Sequence, residues 1–204
     1  EYNWVAAAEY ADSAGAHIIN SPLGYSTFDS TSQNHTYREM DGNSTPITQA
    51  ADLAASKGML VVSSAGNLGN DPWHYISAPA DADSIITVGA VDENLNHASF
   101  SSVGPTYDGR VKPEVAAQGV ATVVQNADSA LIYGNGTSFS APIISGLMAC
   151  LWEKYPGLSN MQIRDRLLNH ASQAGNPDSL IGYGIPNFSM AGDLRLETDR
   201  KSVV

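Results

Sequence analysis

Two helix-then-strand units follow one another at the start of the chain, and they constrain its fold more than any other feature. Residues 2–14 and 45–57 have the apolar periodicity of helices, and each is followed by a short apolar run, at 16–20 and 59–62. These runs are mainly apolar and do not alternate with polar residues, as in strands that are buried on both faces of a sheet. Consecutive units of this kind predict an α/β fold whose sheet is parallel and covered on both faces.

The carboxyl ends of these strands are the expected place for a binding site, because ligands of open parallel sheets lie there. Leu23 and Gly24 follow the first apolar run, and Asn67 follows the second. We therefore expect both segments at the ligand-binding end of the sheet.

A strand-to-helix turn near residue 138 is the second candidate for a functional site. A β-like run at 130–133 stops at a Gly-Asn-Gly turn, and a long helix begins near Ser138. Ser138 is thus predicted to lie at the positive end of a helix dipole, which favours a nucleophile whose reaction develops negative charge. The same position is also typical of a serine that only caps a helix. The turn by itself leaves both interpretations open.

The helix that follows Ser138 is predicted to be buried on most of its sides. Its large apolar residues, such as Ile143 and Leu147, alternate with small ones that let neighbouring elements come close. Cys150, the only cysteine, is interpreted as a small core residue on this helix, since nothing cationic stands near it in sequence to lower the pKa of its thiol. A single cysteine excludes an intrachain disulfide.

Size and charge narrow the classes of partner. The 204 residues suffice for one domain with a sizeable core, or for a large part of a bigger one. A net charge of −11 disfavours nucleic acid and anionic membrane surfaces as partners, and it is compatible with Ca²⁺ binding. No apolar run approaches the length of a membrane span.

A set of motifs in a fixed order resembles the subtilisin-like serine proteases, or subtilases. Residues 135–142, Asn-Gly-Thr-Ser-Phe-Ser-Ala-Pro, are similar to the motif around the family's catalytic serine. Residues 62–67 are similar to the strand end that carries its oxyanion asparagine, and residues 18–24 to the strand that pairs with substrate. Further landmarks lie at 86–92, 98–104, 112–117 and 182–184. Together these motifs span nearly all of residues 1–192.

The resemblance implies a three-layer α/β fold with a mostly parallel sheet, and hydrolysis of peptide bonds by a serine, a histidine and an aspartate. Ser138 is the implied nucleophile, and its backbone N–H and the Asn67 side chain are implied to hold the oxyanion. Pro22 stands where the family has a residue with a free N–H, so one hydrogen bond to a substrate strand is not expected. The implied substrate-binding residues are Pro22, Leu23, Gly24, Ser64, Ala65 and Gly66.

The family's catalytic aspartate and histidine are not recognisable in this sequence. They lie in D-[ST]-G and H-G-T settings ahead of the serine, and neither setting occurs here. A serine without a general base is a poor nucleophile near neutral pH. We therefore expect residues 1–192 to be the C-terminal part of a catalytic domain without its N-terminal portion, and residues 193–204 to be a boundary or tail. Alone, this chain is expected to be inactive.

The resemblance also sets expectations for partners and surroundings. A peptide or protein is the implied substrate, and the missing N-terminal part of the same protein is the implied partner. A sheet without its first strands exposes an apolar edge, which predicts self-association. No cofactor is needed for the chemistry and no metal ligand is assigned, while structural Ca²⁺ and a secreted or cell-envelope location follow family practice.

Two other functions are weighed against a peptidase. The first is a non-catalytic, subtilase-like module that binds peptides or a partner chain, although such a module has no need for both Ser138 and Asn67. The second is an esterase of the α/β-hydrolase class, which needs a G-x-S-x-G motif. Ser140 stands at the last glycine position of that motif, which disfavours the esterase.

Overall fold

A four-stranded parallel sheet lies at the centre of the fold in the computed structural model, which describes residues 1–192. The strands are ordered β1-β2-β3-β4, and every neighbouring pair is parallel, which confirms the predicted sheet. An antiparallel hairpin, β5 with β6, leads into the helix that carries Ser138. The strands are β1 Ile18–Ser21, β2 Leu60–Ser64, β3 Ile86–Val91, β4 Val115–Gln118, β5 Thr122–Gln125 and β6 Leu131–Gly134.

Helices cover the sheet on both faces and complete three layers. The helices are α1 Tyr2–Ser13, α2 Pro46–Ser56, α3 Thr137–Lys154, α4 Asn160–Asn169 and α5 Phe188–Ala191. Side chains of α2 form one core cluster with the sheet, against which Trp4 of α1 packs. Side chains of α3 and α4 form the larger cluster on the other face. Within residues 1–192, no helix combines the length and apolarity needed to cross a membrane.

Strand β2 shows why an uninterrupted apolar run fits this position. Leu60 and Val62 pack with Met148 and other α3 residues, whereas Val61 packs with Ala54 of α2. Successive side chains of a strand point to opposite faces of its sheet. A strand with helices on both faces therefore has no solvent-facing position, and all three of these β2 side chains are fully buried.

Helix α2 begins where its sequence predicts. Thr45 is the N-cap, and its Oγ1 accepts a hydrogen bond of 3.3 Å from the backbone N–H of Thr48. Pro46 occupies the first helical position, where a missing N–H costs nothing. Ser159 and Gln162 form a capping box at the start of α4. These caps fix the helix starts independently of the sheet.

The two edges of the sheet differ. The chain near residue 183 lies along β4, where the N–H of Ala116 donates to Gly184 O at 3.1 Å and the N–H of Tyr183 donates to Glu114 O at 2.8 Å. Gly182 has a φ of +65°, and a Cβ there would lie 1.9 Å from the Pro113 carbonyl oxygen, so only glycine fits. Within the described residues, β1 pairs with β2 alone, and its other edge is open.

Helix α3 is less buried than its composition suggests. Ile144 and Met148 pack against the sheet, but Ile143 is 37% exposed and Leu147 is 39% exposed. The prediction that α3 is buried on most sides is therefore wrong for the described residues, and so is the prediction that Cys150 is a core residue, because that thiol is exposed. We call the open face the α3 stripe, which consists of Pro142, Ile143, Gly146, Leu147 and Cys150.

Candidate active site

Three segments that are far apart in sequence meet at the carboxyl end of the sheet. Pro22 directly follows β1, Asn67 follows β2, and Ser138 lies in the first turn of α3. The turn before α3 depends on Gly136, whose φ of +153° is one that residues with a Cβ rarely adopt. The parallel sheet thus brings together two of the predicted segments, as expected for a site at this end of the strands.

Asn67 is held in one orientation by the residue before Ser138. The backbone N–H of Thr137 donates to Asn67 Oδ1 at 2.8 Å, and Thr137 Oγ1 donates to the same oxygen at 3.0 Å. A backbone N–H can only donate, so the atom that it contacts must be the side-chain oxygen of Asn67. Asn67 Nδ2 is consequently a free donor, and it makes no hydrogen bond within residues 1–192.

The hydroxyl of Ser138 has an unusual partner for a nucleophile. Ser138 Oγ donates a hydrogen bond of 3.0 Å to the carbonyl oxygen of Pro22. A peptide carbonyl does not accept a proton at neutral pH, so this contact orients the hydroxyl without activating it. None of the five histidines, all of which lie in the described part of the chain, hydrogen-bonds to Ser138.

Two hydrogen-bond donors lie where negative charge would be stabilised. The backbone N–H of Ser138 belongs to the first turn of α3, in which N–H groups have no partner within the helix. Asn67 Nδ2 is the second donor, and both residues line the same cavity. Two donors at the positive end of a helix of 18 residues form a site able to bind an oxyanion.

A cavity of about 280 Å³ lies beside Ser138, between the segments after β1 and β2. Four of the six predicted substrate-binding residues line it, namely Leu23, Gly24, Ser64 and Gly66. Pro22 does not line it and instead contacts Ser138 through its carbonyl. Ala65 does not line it either, and its side chain is fully buried with Ile76 and Ala80.

Sequence reasoning missed Ser26, Thr27 and Leu68, which also line this cavity. Ser77 lines it too, within the loop at 75–80 where the resemblance to subtilases implies the floor of the first subsite. Ser77 reaches the site because the N–H of Tyr25 donates to the carbonyl oxygen of Ala78 at 2.8 Å, which ties its loop to the segment after β1. This pairing joins residues more than fifty positions apart, and no local pattern in the sequence indicates it.

Both glycines of the cavity wall are required by close contacts. A Cβ on Gly24 would lie 2.4 Å from Ser77 Oγ. A Cβ on Gly66, whose φ is +110°, would lie 2.8 Å from Ser102 Oγ and 3.2 Å from Ser77 Oγ. The two glycines therefore leave room for the Ser77 hydroxyl at the cavity wall.

The site is built from neutral groups. No aspartate, glutamate, lysine, arginine or histidine lines the cavity. Within residues 1–192, no three His, Cys, Asp or Glu side chains are grouped so that they could hold a metal ion. The described chemistry thus consists of the Ser138 hydroxyl, two hydrogen-bond donors and an uncharged pocket.

Comparisons with known proteins agree on one family for this chain. The family model described as "Subtilase family" matches residues 1–184. Subtilisin DY of Bacillus licheniformis is 36% identical over 188 residues, which are 92% of this chain and 61% of that protein. M-protease of Shouchella clausii (strain KSM-K16) is 34% identical over 183 residues, 90% of this chain and 42% of that protein.

A solved structure of a protease domain has a similar fold. The self-cleaved protease domain of PatA matches with a TM-score of 0.73 at 26% identity, over 95% of this chain and 67% of that one. The chain therefore spans less than two thirds of the length of subtilisin DY and of M-protease.

Proposed function

This chain belongs to the subtilase family, and we propose that the protein that contains it is a serine endopeptidase of the subtilisin type. Ser138 is the nucleophile, and the Ser138 N–H and Asn67 Nδ2 form the oxyanion hole. The observation that carries the proposal is the orientation of Asn67. Thr137 occupies the side-chain oxygen, so the group left for a substrate is a pure donor at the cavity that Ser138 lines.

In the proposed reaction Ser138 Oγ attacks the carbonyl carbon of the scissile peptide bond and gives its proton to a general base. The carbonyl oxygen becomes an oxyanion that accepts hydrogen bonds from the Ser138 N–H and Asn67 Nδ2. The base then protonates the leaving amine as the C–N bond breaks, and an acyl-serine remains. Water that loses a proton to the same base releases the carboxylic acid and restores Ser138.

The general base is proposed to be a histidine outside these 204 residues, on the missing N-terminal part of the same protein. The α3 stripe and the open edge of β1 are the surfaces on which we place that part. The stripe begins at Pro142, one helical turn after Ser138. A helix packed along it therefore ends beside the nucleophile, and Gly146, with no atom within 4 Å of its Cβ position, permits a close approach.

The isolated chain is proposed to be inactive and to associate with itself. Without a base, Ser138 remains hydrogen-bonded to Pro22 and protonated. The open β1 edge and the apolar α3 stripe offer surfaces for a second copy. Sedimentation of residues 1–204 is expected to show oligomers, and a sharply monomeric species would contradict this proposal.

A non-catalytic binding module is the second candidate. The observation in its favour is the Ser138 hydroxyl, whose partner is a carbonyl and not a base. In that case a peptide would bind the intact protein with the same affinity after Ser138→Ala, and the intact protein would cut no peptide.

Peptide hydrolysis by the intact protein tests the proposal. We expect turnover of a mixed peptide substrate that disappears in Ser138→Ala and persists in Ser189→Ala, a change in the short helix α5. Turnover by purified residues 1–204 that is lost in Ser138→Ala would contradict the proposed need for an external base. Failure of the intact protein to cut any peptide would favour the binding module.

The chemistry itself needs no cofactor, and we propose structural Ca²⁺ and a secreted or cell-envelope location from family practice alone. Removal of Ca²⁺ from the intact protein with a chelator is expected to lower its thermal unfolding midpoint. An unchanged midpoint would contradict the structural role of Ca²⁺.

A further inference from the structure

Three serines that line the cavity beside Ser138 are almost fully buried, and their hydroxyls have no partner in the described chain. Ser64 and Ser77 are each 2% exposed, and Ser26 is 8% exposed. None of their side chains hydrogen-bonds to another residue of the described chain. Their oxygen atoms still reach solvent, but hydroxyls that become buried in proteins are nearly always hydrogen-bonded. The group that fills this cavity and displaces its water must therefore supply donors and acceptors of its own.

The exposure of the lining residues orders the cavity from mouth to floor. Leu23 is 41% exposed and forms the mouth, whereas Ser64 and Ser77 lie at the depth of the cavity. The Cβ positions of Gly24 and Gly66 lie 2.4 and 3.2 Å from Ser77 Oγ, so a side chain at either position would crowd this hydroxyl. An occupant with an apolar stem and a polar end fits this order.

The absence of charge in the lining disfavours ionised side chains as occupants. The cavity lining contains no ionisable side chain, so a carboxylate, ammonium or guanidinium group would be desolvated without a counter-ion. The polar end of the occupant must be neutral.

We propose that this cavity is a subsite selective for a carboxamide side chain, so that the protein cleaves after glutamine or asparagine. The proposal rests on the proposed peptidase function, and the selected residue is the one whose carbonyl Ser138 attacks. A carboxamide has two N–H donors and an oxygen that accepts two hydrogen bonds, which suits three surrounding hydroxyls. Its methylene stem suits Leu23 at the mouth. Methionine, of similar length, leaves the hydroxyls unpaired, and tyrosine offers them a single hydroxyl.

Ser77 is the residue expected to determine this selectivity. It forms the floor, and its Oγ is the atom that both wall glycines approach. Removal of its hydroxyl takes away one hydrogen bond to the carboxamide without opening or closing the cavity.

The test uses the intact protein and peptide mixtures in which the cleaved position is fixed as Gln, Met, Glu or Tyr and the other positions are randomised. We expect kcat/KM for Gln to exceed that for Met by about tenfold or more, since two or three neutral hydrogen bonds are gained. Glu is expected to be the poorest of the four. Ser77→Ala should lower the Gln-to-Met ratio by about three- to tenfold. Ser99→Ala, an exposed serine outside the cavity, should leave the ratio unchanged.

The outcomes separate this inference from the proposed function. Peptides cut with Met or Tyr preferred over Gln, or a ratio unaffected by Ser77→Ala, would overturn the selectivity and leave the peptidase intact. If no peptide is cut and a fluorophosphonate does not label Ser138, the proposed function fails and the selectivity falls with it. The comparison of peptides needs no variant, so it decides the question even if Ser77→Ala does not fold.

Discussion

The oxygen and the nitrogen of the Asn67 side chain have different roles, one structural and one chemical. Its oxygen accepts two hydrogen bonds from Thr137 and so ties the segment after β2 to the first turn of α3. Its nitrogen is without a partner among residues 1–192 and is the proposed oxyanion donor. An aspartate at position 67 would keep the acceptor and remove the donor, so the two roles can be tested apart.

We expect Asn67→Asp in the intact protein to lower kcat by about 100- to 1,000-fold, the range measured on removal of one oxyanion donor in a subtilisin. Its thermal unfolding midpoint should stay near that of the parent, because the bonds from Thr137 remain. Asn67→Ala should lower both kcat and the thermal unfolding midpoint. Asn70→Ala, an exposed change three residues further along, is the matched control. A parental kcat in Asn67→Asp would contradict the assignment.

His97 gives the stability of the fold a dependence on pH. Burial lowers the pKa of its ring, while a hydrogen bond with the Ser101 backbone and the charge of Asp178 oppose the shift and nearby His74 adds to it. The folded protein therefore binds this proton less readily than the unfolded chain, whose histidines titrate near about 6.5. The contribution is complete above that pH and is lost as the pH falls through the folded pKa.

Urea unfolding of residues 1–204 between pH 8 and pH 5 checks this dependence. The parent is expected to lose stability as the pH falls below about 6.5, and His97→Gln should show a flatter profile over that interval. Parallel profiles for the two proteins would show that His97 carries none of the effect.

The site residues differ in how visible they are in the sequence. Ser138 and Asn67 stand in continuous motifs at the ends of predicted elements, so a local pattern identifies them. Ser77 lies in an irregular loop, which the hydrogen bond from the Tyr25 N–H to the Ala78 carbonyl ties to the segment after β1. Ala65 is the opposite case: it lies inside a recognised motif, but its side chain packs in the core and does not line the cavity.

At the scale of elements, α3 shows what composition leaves open. The sequence indicates that this helix is apolar, but it does not show which neighbour covers each face. The structure covers the face of Ile144 and Met148 with the sheet and leaves the α3 stripe uncovered by any described element. We propose that the missing part of the protein covers it.

Leu147→Ala distinguishes a covered stripe from an open one. In residues 1–204 alone Leu147 is 39% exposed, so we expect the loss of unfolding free energy to be small, below about 1 kcal/mol. In the intact protein the same change should cost about 2–5 kcal/mol, as for a buried leucine. Leu131→Ala on β6, where the side chain is 76% exposed, should cost little in both. Equal losses for Leu147→Ala in both proteins would contradict a covered stripe.

At the scale of the whole molecule, a buried ion cluster joins the sheet to the helical layer. Lys112 Nζ lies 2.7 Å from Glu114 Oε1, and Arg164 of α4 lies 3.1 Å from the same oxygen. Burial lowers the pKa of Lys112, and the Glu114 carboxylate opposes that shift. Removal of one partner leaves a buried charge with less compensation.

Lys112→Met is therefore expected to destabilise the chain by about 3–5 kcal/mol in chemical unfolding. Lys57→Met is the matched control, since Lys57 is 51% exposed and its contact with Asp12 is 3.3 Å long. That surface pair should be worth at most about 1 kcal/mol. Similar losses in the two variants would mean that the cluster is not a central support of the fold.

The three-layer architecture was predictable because the helix-then-strand pattern that produces it occurs twice in the sequence. β1 and β2 are each preceded by a helix, and strands such as β2 have no polar side to turn outwards. Whether the open β1 edge and the α3 stripe are covered depends on what lies beside them. Their own residues do not determine it. The same limit applies to the general base, which no residue described here supplies to Ser138.

Active-site labelling tests the central claim most directly. The intact protein and residues 1–204 alone are each treated with a fluorophosphonate, and the modified peptide is identified by mass spectrometry. We predict modification at Ser138 in the intact protein, no modification in Ser138→Ala, and none in residues 1–204 alone. A folded intact protein that is not modified at Ser138, or equal modification of Ser138 in residues 1–204 alone, would contradict a nucleophile that depends on a base from elsewhere in the protein.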